Sequence, residues 1–160
     1  MFARSNGAYA ILLVLAAIDS IGYSVIGPVL PSLSREVHAD PIVAGSIVAG
    51  FPLGMLFGFI AAGSGVRRFG SRRALFASFI VVAGGTAGFI AADSTPGYFV
   101  ARAVMGFGSG GVWLGLVFAT LERWPGREYL CMSRVFAAYS VGALGGPALG
   151  ALGGVRAPFV

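Results

Sequence analysis

Five stretches of this chain are long, apolar and almost free of charge, and no other feature constrains its fold as strongly. Pro41 to Val66 contains no charged residue, nor do Ala74 to Ala92, Ala103 to Leu121 and Val135 to Val155. Ser5 to Ser34 contains one, Asp19. About 20 apolar residues carry an α-helix across the hydrocarbon core of a bilayer. A helix also pairs its backbone polar groups internally, as lipid demands. The pattern predicts spans near 8–30, 42–63, 74–92, 98–120 and 134–155. The expected fold class is an all-α membrane protein, a bundle of about five transmembrane helices forming a single domain over residues 1–160.

Composition removes the competing classes. The chain is 57% hydrophobic and 11% charged, whereas soluble proteins carry about 25% charged residues. Such a sequence is too apolar to be disordered, and its single cysteine, Cys131, makes no disulfide framework. The first stretch is too long for the apolar core of a signal peptide and carries an acid in its middle. All the basic residues are arginines, without a run long enough to form a nucleic-acid patch. No nucleic-acid partner is expected; the partner that the composition calls for is the lipid bilayer.

The arginines instead report topology. Arg4, Arg67, Arg68, Arg72, Arg73, Arg123, Arg127 and Arg134 fall on one side of the predicted spans, and Arg35 and Arg156 on the other. Arginine-rich short loops stay in the cytoplasm, so the N-terminus is expected inside and the C-terminus outside. The connections are short: Ser32–Asp40 and Asp93–Gly97 outside, Leu121–Ser133 inside.

Glycines recur at four-residue spacing within the spans. Gly50, Gly54 and Gly58 form one row; Gly142, Gly146, Gly150 and Gly154 form another. Gly84 with Gly88, Gly106 with Gly110, and Gly111 with Gly115 form shorter ones. Residues four apart share a helix face, and small residues there let helix backbones approach closely in lipid. Pro52 and Pro147 lie inside spans and are expected to kink them.

Two charges remain within the spans. Asp19 sits at the centre of the first, where a charge costs at least about 2.5 kcal/mol. It is read as a carboxylate that binds a proton or a cation; the alternative is an acid hydrogen-bonded to a neighbouring helix. Arg102 lies near the outer end of the fourth span. It either faces the same cavity as Asp19 or snorkels to the outer headgroups. At about 1.5 Å of rise per residue the two differ in depth by roughly 10 Å, so a direct ion pair is not expected.

Four segments resemble the major facilitator superfamily, and within it the drug/proton antiporter branch. Asp19 followed by Gly27-Pro28-Val29-Leu30-Pro31 is similar to that family's first-helix motif. Gly63 to Arg73, through Arg67, Arg68, Gly70 and Arg72, resembles its cytoplasmic G-x-x-x-D-R-x-G-R-R loop. Arg102-Ala-Val-Met-Gly106-Phe-Gly108 resembles R-x-x-Q-G-x-G, and Gly142-x-x-x-Gly146-Pro147-x-x-Gly150 resembles the antiporter G-x-x-x-G-P-x-x-G motif. The loop motif's acid is Arg67 here, and the glutamine of the fourth-span motif is Met105.

The resemblance implies a multi-pass protein of the cell (plasma or inner) membrane. It implies secondary active transport, here proton-coupled efflux of small amphipathic molecules, with protons and a small-molecule substrate as partners and no cofactor or metal. Asp19 and Arg102 would serve proton and substrate. Gly63, Arg67, Arg68, Gly70, Arg72 and Arg73 would form a cytoplasmic gating loop. Gly142, Gly146, Pro147 and Gly150 would set a kink and packing face. It also implies six spans in each of two halves, so five spans are expected to be an N-terminal portion, completed by a C-terminal half or another copy. The alternative is a truncated membrane protein or helical scaffold without transport of its own. An intramembrane enzyme is disfavoured by one intramembrane Asp, no Lys, and a lone His38 in an outer loop. Gly106-x-Gly108-x-x-Gly111 matches a dinucleotide-binding spacing but sits inside an apolar helix rather than after a strand.

Overall fold

The computed structural model describes residues 3–151. Residues 1–2 and 152–160 lie outside that range, and with them Gly154, Arg156, the end of the expected span 134–155 and the chain's C-terminal end. The described residues are helical with short connections and include no strand: α1 (Ala3–Ser24), α2 (Ile26–Glu36), α3 (Pro41–Phe69), α4 (Ser71–Ala91), α5 (Thr95–Arg123) and α6 (Glu128–Gly150). Gly7–Glu36, Pro41–Phe69, Ser71–Ala91 and Thr95–Arg123 are long and apolar enough to cross a membrane. The described part of the fifth expected span lies in α6.

Only Val25 separates α1 from α2. Its dihedral angles are helical (φ −61, ψ −23), and its N–H donates to the Ile21 carbonyl at 3.0 Å, so one rod continues through the irregularity. The cause lies just ahead: Pro28 and Pro31 offer no N–H to the carbonyls of Ser24 and Gly27. The Ser24 hydroxyl donates back to the Ser20 carbonyl at 2.9 Å. By contrast, α3 and α6 stay helical through Pro52 and Pro147. Each of those prolines removes a single rung, whereas the pair in α2 removes two within one turn.

A single residue, Gly70, joins α3 to α4. Its φ of 83 lies in the left-handed region that side chains disfavour. Its N–H closes α3 on the Val66 carbonyl at 2.9 Å, and its own carbonyl accepts from Ala74 at 3.1 Å to open α4. Between α5 and α6, the N–H of Gly126 donates to the Glu128 carboxylate at 2.7 Å.

Helix α5 is the axis of the bundle. It packs against α3 on one side and α4 on the other, while α1 packs chiefly against α6. One apolar core gathers Leu33, Ile47, Phe51, Phe89 and Tyr98 from α2 to α5. A second gathers Leu12, Leu75, Val112, Leu116 and Val135 from α1, α4, α5 and α6. The outward faces are also apolar, with Ile42, Ile60, Phe76 and Leu144 each more than 60% exposed. Water would penalise such a surface; lipid does not.

The glycine rows mark where backbones meet. A Cβ at Gly54 would overlap the Ala103 carbonyl, and one at Gly106 would overlap the Phe51 carbonyl, so α3 and α5 each press glycine onto the other's main chain. Gly142 meets the Ala17 backbone in the same way, joining α6 to α1. The pairing expected for Gly84 and Gly88 is not found. Open space surrounds Gly84, Gly88 has only an ordinary contact with Ala101, and Gly85 is the residue pressed onto Met105. Gly84 and Gly85 point about 100° apart around the helix, and only Gly85 faces α5.

Gly54→Ala should therefore destabilise the bundle by about 1–3 kcal/mol, because the atom it meets is main chain and cannot swing aside. Gly84→Ala should leave stability unchanged or raise it by a few tenths of a kcal/mol. Unfolding in mixed micelles, followed by helical circular dichroism, checks both; equal loss in the two variants would contradict the packing described.

Candidate functional site in the bundle interior

Asp19 is carried on the buried face of α1, with Ala16 and Ser20 beside it. It is 4% exposed, and its Oδ2 accepts a hydrogen bond of 2.8 Å from the Ser109 hydroxyl of α5. Among the described residues no cation pairs with it. The contact that holds this carboxyl is therefore a neutral one, from a residue seven positions after Arg102 on the same face of α5.

Arg102 is fully buried. Its Nη1 donates to the Gly22 carbonyl of α1 at 3.2 Å, and its guanidinium carbon lies 4.7 Å from the centre of the Phe51 ring. Snorkelling to the outer headgroups is thus not what this side chain does. α1 and α5 run antiparallel here, with Asp19 opposite Ser109. From that level Gly22 lies about 4.5 Å away along α1, and Arg102 about 10 Å away along α5. The guanidinium must therefore reach back toward the level of Asp19 to meet Gly22. It stops there without forming an ion pair.

The cation is incompletely satisfied. Among the described residues, Nε and Nη2 have no hydrogen-bond partner, nor does the Tyr98 hydroxyl one turn away on α5. Phe51 offers the negative face of its ring, which softens the cost of a buried guanidinium but occupies none of its N–H groups. Unfilled donors on a buried cation are costly, so this is the point in the interior most ready to accept an oxygen ligand.

Aromatic rings close the region from α1, α3, α5 and α6. Tyr23 packs on Phe51 with centres 5.1 Å apart. Trp113 contacts Tyr139 at 4.9 Å and Phe136 at 5.2 Å.

The other predicted groups lie elsewhere. Arg67, Arg68, Arg72 and Arg73 are exposed at the α3–α4 end, with Arg68 against the Phe69 ring at 5.4 Å. A Cβ at Gly63 would only just touch the Leu114 side chain, and Gly70 forms the turn. Neither set converges on Asp19. Next to the turn, the Ser71 hydroxyl donates to Glu122 at 2.5 Å, tying the start of α4 to the end of α5. Gly142, Gly146 and Gly150 line the α1–α6 contact against Ala17, Ser24 and Pro28, with Pro147 inside α6. Ser109 and Tyr98 escaped sequence reasoning, although their spacing from Arg102, seven and four residues, places them on its face. Phe51 and Glu122 carry no such signal, because their partners are distant in the chain.

Known proteins resemble this chain along most of its length. The chain is 31% identical to the class C tetracycline resistance protein of Escherichia coli, covering 98% of this chain and 41% of that protein. It is 25% identical to the 4-hydroxybenzoate transporter PcaK of Pseudomonas putida, covering 83% of this chain and 30% of that one. It thus spans less than half the length of either relative. Residues 12–160, nearly the whole of the sequence, match the family model described as Major Facilitator Superfamily, and the chain belongs to that family.

Proposed function

We propose that this chain is the N-terminal part of a proton-coupled secondary transporter that exports small amphipathic molecules across a bacterial cell membrane. The single observation that carries the reading is Asp19, a buried mid-helix carboxyl held by a neutral hydroxyl rather than by a cation. A carboxyl with a permanent ion-pair partner has little to gain from a proton. One that rests on Ser109 alone gains charge balance whenever a proton or a cationic substrate arrives.

Arg102 supplies the complementary element. Its unpartnered Nε and Nη2 groups can donate to a carboxylate, phenolate or water oxygen near the level where Asp19 loses or gains charge. Alternating protonation at Asp19 and ligation at Arg102 gives two states of different internal charge, which is what coupling requires. The drug/proton antiporter branch and the outward direction are supported by the Gly142–Gly150 motif and by the relative named for tetracycline resistance. In this fold, substrate sites lie between the two halves, so the working site is completed by a C-terminal half or by another copy. A membrane protein without transport of its own is the second reading, favoured by Arg67 at the position of the loop motif's acid.

In a full-length transporter carrying this segment, Asp19→Asn should reduce proton-driven substrate uptake into everted vesicles, the export direction, to the level of vesicles lacking the protein. Ser109→Ala should weaken coupling by about tenfold, since a hydrogen bond to a charged group contributes about 1.5 kcal/mol. Undiminished coupling in Asp19→Asn would sink the assigned role.

The proposed orientation places the arginine-rich end in the cytoplasm. With Cys131 replaced by Ala, His38→Cys should react with an impermeant maleimide added outside, and Pro125→Cys only after the membrane is opened. The reverse pattern would invert the topology.

A further inference from the structure

The interior cation is held by a backbone carbonyl, and a regular helix has few of those to offer. Inside a helix each carbonyl accepts from the N–H four residues on. Gly22 lies well within the α1–α2 rod, yet its carbonyl accepts from Arg102 Nη1 at 3.2 Å. The rod supplies the reason. Val25 donates to Ile21 at 3.0 Å, so the ladder is regular up to that rung. The next rung would run from Ile26 to Gly22. Two successive rungs there would carry the helix through Val25, but Val25 belongs to neither α1 nor α2. The break therefore falls on the Gly22 carbonyl and turns it to a partner outside the rod.

Two residues of the rod and two of α6 shape this break. Pro28 has no N–H for the Ser24 carbonyl, and its ring crowds that oxygen. The Ser24 hydroxyl donates back to the Ser20 carbonyl at 2.9 Å, a bond of the kind that bends helices. On α6, two glycines one turn apart make room for the result. A Cβ at Gly146 would stand on the Ser24 hydroxyl. One at Gly150 would overlap the Pro28 ring and the Val25 carbonyl. These contacts are internal to α1, α2, α5 and α6. Arg102 has no exposed surface, so a helix added outside the bundle would not reach it.

We propose that the break in the first span presents the Gly22 carbonyl to Arg102, and that Ser24, Pro28, Gly146 and Gly150 are positioning residues for this cation. The two glycines of α6 act on Arg102 through the bend that they seat in α1, and through it they fix the carbonyl that anchors the guanidinium. The consequence for transport rests on the role given above to Arg102; the anchor itself does not.

The test uses the whole chain in detergent micelles, with arginine labelled in heavy nitrogen for magnetic resonance. Arg102→Lys identifies the Arg102 signals. An anchored Nη1 beside a free Nη2 should give two separate signals, because rotation about the Nε–Cζ bond is slow. Pro28→Ala should close the Ile26–Gly22 rung and withdraw the carbonyl. Rotation should then speed up about tenfold, the worth of one hydrogen bond to a charged group, and the Ile26 amide should gain protection from hydrogen exchange. Ser24→Ala keeps both prolines and should speed rotation by a smaller factor. Pro96→Ala, at the start of α5, should change neither reading. An Ile26 amide already protected in the unaltered chain would overturn the proposal, since the rung would then be present. So would protection gained in Pro28→Ala with rotation unchanged, or a rotation rate indifferent to Ser24→Ala. In a full-length transporter carrying this segment, Pro28→Ala should also lower proton-driven uptake into everted vesicles. Uptake kept despite a released Arg102 would strike the transport role given to that residue and leave the anchor standing.

Discussion

The contact on which the rest depends is the one between the backbones of α3 and α5. In lipid, two apolar helices gain little by burying their side chains against each other, because lipid tails are as apolar as leucine. What holds them is close packing, and closeness requires the removal of Cβ atoms. Gly54 against the Ala103 carbonyl and Gly106 against the Phe51 carbonyl provide this from both sides. Short contacts between Cα–H groups and carbonyl oxygens add a small increment. With α3 seated on α5, Gly50 lies against the Cβ of Arg102, and the Phe51 ring comes to cover the guanidinium. The geometry of the interior cation thus follows from glycine packing one turn away.

The bundle is two packed sets rather than one uniform body. α3, α4 and α5 form the first, and the α1–α2 rod with α6 forms the second. Few contacts join them, and the notable ones are polar or aromatic: Asp19 with Ser109, Arg102 with the Gly22 carbonyl, Tyr23 with Phe51, and Trp113 with Tyr139. The ionisable groups therefore lie along the seam that involves the least interlocked packing. Both apolar cores also cross this seam, through Leu33 of α2 in one and Leu12 and Val135 in the other, so a shift of α1 and α6 against α3–α5 would rearrange core packing together with the surroundings of Asp19 and Arg102.

At the arginine-rich end a different economy applies. The α3–α4 turn is set by the positive φ of Gly70, and the Ser71–Glu122 bond carries that turn's position to the end of α5. Among the described residues, the neighbouring arginines Arg67, Arg72 and Arg73 have no carboxylate partner.

Much of this protein was legible in the linear sequence. Uncharged windows of span length marked out the helices, because lipid admits no other open backbone arrangement. The four-residue glycine rows announced the close contacts, because that spacing is the helix repeat. Asp19 and Arg102 stood out, because a charge in such a window is rare and costly. What the tertiary structure alone decided is which groups meet. It chose Gly85 over Gly84, since one residue of rotation separates facing α5 from facing open space. It broke the first helix at Val25, just ahead of Pro28 and Pro31, which remove two rungs from one turn. It turned Arg102 inward onto Phe51 and left Asp19 to Ser109 across 90 residues of chain. Periodicity within a helix reports the faces; which face meets which neighbour depends on how whole helices dock, and that is not written in any local run of residues.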